Sequence, residues 1–437
     1  MRSILFNTAA GWLVRIMAIL VNLIGVPLAL QTLGPTRFGT ILIAMSIGSW
    51  AGLGNVGFGR VIGLIMARFF HKSKTFVARV VSYVTIVSLM FQTGFFFVCI
   101  AVLTALSGYI NLGSDAAAYK HEFMVSTISI LLIFNLWFFL SIFEGIDAGQ
   151  HQLFRLYWYQ IAAYLGTLVL LFTVFRKMPS ITFATLLLGA GFLAGNIMHA
   201  VDAWIRHHDL FLAKAAWRRK LVQALLMSSV DFTIISMAIG IIFQFTTGIF
   251  GLIVGPDAII NLGVFMRIMA SVGGVILTVT IPMSNLIAGR LAKQDVTGAI
   301  NAALWTGAGL LSLCAFIAAS FEFFGEWLVS IWLRSNIEFD RGFLFMASSQ
   351  IFLAACSGYA TGVAVGFGNL RWVSKIHAVQ AVAVLPFGYL CYHLFGQAGI
   401  LMAMNIVLLV GAVASFATQV PFEYLRLRLG LMRRHPT

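Results

Sequence analysis

Three charged residues sit in stretches that otherwise hold mainly apolar side chains: Arg15, Asp231 and Arg267. A charge at the centre of a bilayer costs about 2.5–3.5 kcal/mol on insertion scales, so such residues face a cavity or a partner. At helical spacing Arg267 shares a face with Gly263, Ser271, Gly274 and Thr278, a small and polar stripe. A guanidinium there can grip a phosphate or carboxylate through paired hydrogen bonds. It reads either as a cation lining a transport cavity or as half of an ion pair between helices. Arg15 shares its face with Asn7, Gly11, Ala18 and Asn22; lying nearer one end of its stretch, it can also extend to the lipid headgroups. Arg15, Asn22, Arg267 and Ser271 therefore form the candidate substrate-binding set. Asp231, with Ser228 one turn away, is either a partner for Arg267 or a titrating carboxylate that couples movement to H⁺ or Na⁺.

Other polar residues carry weaker signals. Glu144 and Asp147 close the fourth apolar stretch and read as solvated loop charges or as parts of a cytoplasmic gate. His199 and Asp202, one turn apart, read as interfacial. Cys99, Cys314, Cys356 and Cys391 lie in apolar stretches without metal-ligand spacing, as small buried hydrophobes do. The chain has no HExxH, GxSxG or nucleotide loop, and its longest outer segments, 107–122 and 320–342, hold no convincing acid/base group beyond His121. The expectation is no enzyme, no catalytic residue, no metal, and no cofactor beyond a coupling ion.

The elements that must position these residues follow from composition. Of 437 residues, 60% are hydrophobic and 10% charged, with a mean hydropathy of +0.97; an ordinary soluble domain carries roughly 25% charge. Lipid-facing surface must be apolar, and each span needs about 20 apolar residues. Twelve stretches qualify: 10–33, 38–59, 80–106, 123–143, 156–175, 183–204, 222–250, 257–281, 298–319, 343–366, 376–395 and 398–420. The first is interrupted by Arg15 and has no small-residue cleavage site, so it reads as a span. The net charge of +14 is scattered in short runs between spans rather than gathered on one surface, which excludes nucleic acid as a partner and suits anionic headgroups. A cytoplasmic N-terminus leaves only Arg37, Lys120, Arg176, Lys177, Arg334 and Arg341 outside, with Arg267 in mid-span and the other 21 of 28 Lys and Arg inside. That is the positive-inside bias, with both termini cytoplasmic.

The order is six spans, a basic segment, then six, and the halves share short matches. Gly34-Pro35 ends the first span and Gly255-Pro256 the seventh, while GLIMAR (63–68) pairs with NLIAGR (285–290). Parallel repeats place substrate sites at their interface. The expected organisation is an all-α polytopic protein: an N-terminal six-helix lobe (1–204), a basic cytoplasmic linker (205–221) and a C-terminal six-helix lobe (222–437), related by a pseudo-two-fold along the membrane normal. Pro27, Pro282 and Pro386 can kink spans. Gly48/Gly52, Gly59/Gly63 and Gly358/Gly362/Gly366 allow close helix contact.

LGPTRFGTILIAMSIGSWAGLGNVGFG (33–59), GPDAIINLGVFMRI (255–268), LVSIWLRSNIEF (328–339) and GQAGILMAMNI (396–406) resemble bacterial polysaccharide-biosynthesis flippases of the O-antigen type. These belong to the superfamily of multidrug, oligosaccharidyl-lipid and polysaccharide exporters. The resemblance implies two lobes around a central cavity, alternating access, and an undecaprenyl-pyrophosphate-linked glycan as substrate for cell-surface or exopolysaccharide assembly. It also implies the bacterial inner membrane and a polysaccharide polymerase or export machinery as partner. The alternative within the superfamily is a cation-coupled multidrug antiporter, which should carry acidic cavity residues.

Overall fold

The computed structural model describes residues 2–48, 51, 57–70, 73–106, 116–150, 152–211, 230–231, 233–255, 259–292, 294–333 and 339–428. All regular structure among them is helical: α1 (Arg2–Leu33), α2 (Pro35–Gly48), α3 (Phe58–Phe69), α4 (Lys74–Leu106), α5 (Ala116–Gly149), α6 (Phe154–Leu170), α7 (Ile181–Ala190), α8 (Leu193–Phe211), α9 (Thr233–Val254), α10 (Ile260–Ala292), α11 (Val296–Leu333), α12 (Arg341–Gly366) and α13 (Leu370–Arg428). Nine of these are long and apolar enough to cross a membrane, or ten if the bent pair α7/α8 is one span. The expected second span, 38–59, runs partly outside the described residues between α2 and α3, and Gly396 (φ 60) interrupts α13 between the expected eleventh and twelfth spans. The outward faces carry Trp305, Phe316, Phe323, Val379 and Val382, all strongly exposed, as contact with lipid tails requires. At 38 residues, α11 is about 57 Å long. It therefore outreaches a hydrocarbon core of ~30 Å, and its ends stand in the headgroups or beyond.

The matched Gly-Pro motifs do the same local job. Gly34 (φ 82) and Gly255 (φ 101) both take the left-handed conformation that ends a helix, and each donates its N–H to a carbonyl four residues back, Leu30 and Gly251. Sixth-span residues depart from expectation: instead of one helix over 183–204, α7 and α8 meet at a 52° bend. α7 begins on Ser180, whose hydroxyl accepts from the Phe183 N–H, and on Glu122 of α5, which accepts from the Ile181 N–H at 2.7 Å.

The chain divides into two compact units, Met1–Gly263 and Val264–Thr437. The division falls later than the expected linker because α9 packs on α2: the Ser46 hydroxyl donates to the Gln244 carbonyl, and Gly248 and Gly251 abut Ser46 and Ile43. The linker itself lies mostly outside the described residues; its first part, 205–211, continues α8. In the first unit, α5 is central, touching α2, α3, α4, α7 and α8. Its closest partner is α3, where Gly59 and Gly145 face each other so tightly that a Cβ on Gly145 would overlap the Gly59 carbonyl. Gly145→Leu is therefore expected to lose at least about 1–3 kcal/mol through overpacking. Gly166→Ala, with open space around it, should be neutral or slightly stabilising. Fluorescence-detected size-exclusion after a heating series separates the two outcomes.

In the second unit, α12 lies against α10 through Gly358, Gly362 and Gly366, which meet Ile276, Met283 and Ile287. This is the small-residue contact the spacing predicts. The turn into α11 is built on Asp295, which accepts from the Gly298 N–H (2.9 Å) and from Arg290 (2.7 Å). Those two donors, the amide first, hold its carboxyl below the ordinary range.

Candidate functional site: polar groups inside the first unit

The most polar region of the first unit is where α5 gives way to α6. Asp147 is completely buried, which corrects its reading as a solvated loop charge. Its burial is tolerated because donors surround it. Arg206 of α8 grips both carboxylate oxygens, at 3.0 Å to Oδ1 and 2.8 Å to Oδ2, and His199 Nε2 lies 2.9 Å from Oδ2. A carboxylate can only accept, so His199 donates there and carries its proton on Nε2. Arg206 also donates from Nε to Asp202 at 3.0 Å, and Arg155 of α6 approaches Asp202 at 3.8 Å. The Arg206 guanidinium further reaches Gln152 Oε1 at 3.4 Å. Two acids and two arginines thus balance in one cluster that ties α5, α6 and α8 together.

His199, Asp202 and Arg206 lie at i, i+3 and i+7, so one face of α8 carries all three, and this spacing was visible in the sequence. The partner was not, because Asp147 lies 59 residues from Arg206. His199 is buried, which corrects its interfacial reading. Farther along the same helix pair, Gln160 donates to Asn196 Oδ1 at 2.8 Å. The end of α8 is fastened to α4 by the Lys74–Asp209 pair (2.6 Å) and by the Ser82 hydroxyl on the Leu210 carbonyl (2.9 Å).

The candidate substrate residues are placed differently. Arg15, five residues into the apolar part of α1, is exposed. α1 and α6 approach through Gly11, whose Cβ position is 3.4 Å from the Tyr157 ring. Arg15, one turn from Gly11 on α1, thus stands on the face of the helix that meets Tyr157. Asn22 donates to the Ala18 carbonyl of its own helix at 2.9 Å, while its buried Oδ1 has no partner. Asp231 is half-buried on the helix that leads into α9.

In the second unit, Arg267 is half-buried on α10, seven residues after its first, about 10 Å along a far longer helix. Ser271 turns its hydroxyl toward the Arg267 carbonyl at 3.5 Å. Among the described residues no three His, Cys, Asp or Glu side chains are arranged to hold a metal, and the four cysteines are free.

No family model and no curated protein matches the sequence. Solved structures do match over nearly the whole chain. An inward-facing multidrug resistance MATE family transporter of the MOP superfamily superposes with a TM-score of 0.77 at 14% identity, covering 98% of this chain and 100% of that one. A MOP superfamily transporter from Pyrococcus furiosus, described as having a binding pocket of reversed polarity that suggests a different function, gives 0.69 at 13% identity over 99% and 96%. A eukaryotic MATE transporter gives 0.66 at 13% identity over 99% and 96%. The chain therefore has the fold of the MATE transporters of the MOP superfamily, two lobes of six helices, in a multi-pass membrane protein.

Proposed function

We propose that the chain is a transporter of the multidrug type, exporting an amphipathic solute by alternating access. The observation that carries this reading is the likeness, over 98% of the chain, to a multidrug resistance transporter. Rigid lobes rocking about a shared site are how such folds move cargo. The face of α1 that carries Arg15 and meets Tyr157 through Gly11 suits a cargo with an aromatic or apolar body and a polar head: the ring offers flat apolar area and the charge offers anchoring. Arg267, Asn22 and Ser271 remain in the proposed contact set. Asp231 remains the coupling candidate for H⁺ or Na⁺, and both termini are placed in the cytoplasm. The Asp147 cluster is a clamp inside one unit rather than a gate, since each of its acids already holds a cation.

A second reading keeps the lipid-linked glycan as cargo, flipped to the outer leaflet of a bacterial inner membrane for a polysaccharide polymerase or export system. It rests on the two arginines within apolar helices and on the solved relative described as reversed in pocket polarity. A pyrophosphate headgroup is a natural ligand for guanidinium groups.

The readings separate in one pair of hosts. In a bacterium stripped of its own drug pumps, the first expects raised tolerance to lipophilic cations and dyes, and dye efflux that collapses with the ion gradient. In a flippase-deficient strain, the second expects restored surface glycan. Neither effect from a protein shown to be in the membrane would sink the proposal.

A further inference from the structure

The second unit contains a line of buried polar groups that its own hydrogen bonds leave half satisfied. On α12 and α13, the amides of Gln350, Gln380 and Asn405 and the imidazole of His377 are all at most 6% exposed. Each amide spends its N–H on a neighbour: Gln350 reaches the Met404 sulfur at 3.7 Å, Gln380 the Val407 carbonyl at 2.8 Å and Asn405 the Met346 carbonyl at 2.7 Å. His377 Nε2 meets the Thr361 hydroxyl at 2.9 Å. Among the described residues Gln350 Oε1, Gln380 Oε1, Asn405 Oδ1 and His377 Nδ1 have no partner; the three amide oxygens can only accept, and His377 Nδ1 accepts or donates with its tautomer.

These four groups fall in two pairs along one helix pair. Gln350 and Asn405 are adjacent because Met346 and Gln350, one turn apart on α12, bond to the consecutive residues Asn405 and Met404 of α13. Gln380 bonds three residues further along that pass, at Val407, where Gly411 leaves room for its amide. His377 is one turn from Gln380. Along α12, Gln350, Ser357 and Thr361 follow at i, i+7 and i+11 on one face, so the line runs about 16 Å through the helix pair.

An orphaned buried acceptor costs about 1–3 kcal/mol. Unpartnered polar atoms set along one helix pair are the pattern that internal water, both donor and acceptor, satisfies, each water bonding to two to four polar groups. We propose that the α12/α13 pair encloses a file of ordered water that hydrates Gln350, Asn405, Gln380 and His377 and gives the His377 imidazole access to solvent protons within the second unit. A water in the file hydrogen-bonds His377 Nδ1, donating or accepting with the imidazole tautomer, and a proton arriving there is passed on by the hydrogen-bonded chain. No bound cation and no transport step is needed for this arrangement, so it stands apart from the cargo assignment.

X-ray radiolytic footprinting of the full-length protein in lipid nanodiscs tests it, because hydroxyl radicals made from bound water oxidise only side chains beside that water. Met404 and Met66 are equally buried, but Met66 sits in an apolar cluster. Met404 is expected to label roughly tenfold faster than Met66, as a residue beside internal water does. Histidine C2 hydrogen exchange should proceed at His377 within about threefold of the exposed His393. Gln350→Leu, which removes one acceptor, should lower Met404 labelling while leaving His393 exchange unchanged. Equal, slow labelling of Met404 and Met66 in the wild-type protein overturns the proposal, and so does an absence of exchange at His377.

Discussion

Replacing Asp147 with Ala is expected to destabilise the first unit by about 3–5 kcal/mol, since it leaves the Arg206 guanidinium with half its partners in a buried place. Arg206→Ala strands the Asp147 carboxylate instead and should cost as much or more. Because both changes break one interaction, the double variant should lose far less than the two singles together, and that coupling is the signature of a clamp. Thermal unfolding in detergent, followed by tryptophan fluorescence, reads all three. If the Asp147→Ala protein melts with the wild type, the cluster does not hold α5 to α8. His199→Gln, which keeps a donor in reach of Oδ2, should fall between.

The second large effect concerns export. Where the cargo carries an anionic head, Arg267→Ala is expected to stop its transport, with membrane insertion intact; transport of a cationic dye should survive the change. Removing a charge-assisted contact of the kind an arginine makes with an anionic head costs about 1.5–3 kcal/mol, a ten- to hundredfold fall in turnover at limiting cargo. Arg267→Lys keeps the charge but loses the paired geometry and should retain part of the activity. Quantifying export against the amount of protein in isolated membranes decides the matter. Full export by the Ala variant would remove Arg267 from the contact set.

Much of this architecture is legible in the chain itself, where a physical signal is local. The apolar stretches had to become helices because no other open structure satisfies its own backbone in lipid. Gly34 and Gly255 announce their turns because a left-handed helix end favours a residue without Cβ. The Gly358/Gly362/Gly366 row announces a close helix contact at four-residue spacing. The failures are all tertiary. The bend between α7 and α8 comes from how the two pieces pack, with Gly195 pressed on the backbone of Tyr159 and Gln160. Asp147 looked like the end of a helix at the water surface, since nothing near it in sequence supplies a cation. Arg206 looked like a membrane-surface charge for the same reason. Of the four proposed contact residues, Arg15 stands on the face of α1 that meets Tyr157, while Ser271 was turned back on its own helix.

The span of chain between Asp147 and Arg206 also sets a clock for biogenesis. Asp147 enters the membrane with α5, and its guanidinium follows 59 residues later; at 5–20 residues per second the ribosome needs roughly 3–12 s to supply it. For that interval the carboxylate at the end of α5 has no guanidinium to hold it, and the place it later fills in the bundle stays unformed. Slow codons or a stall between α5 and α8 would lengthen the wait and expose the young protein to membrane quality-control proteases, without altering one atom of the finished molecule.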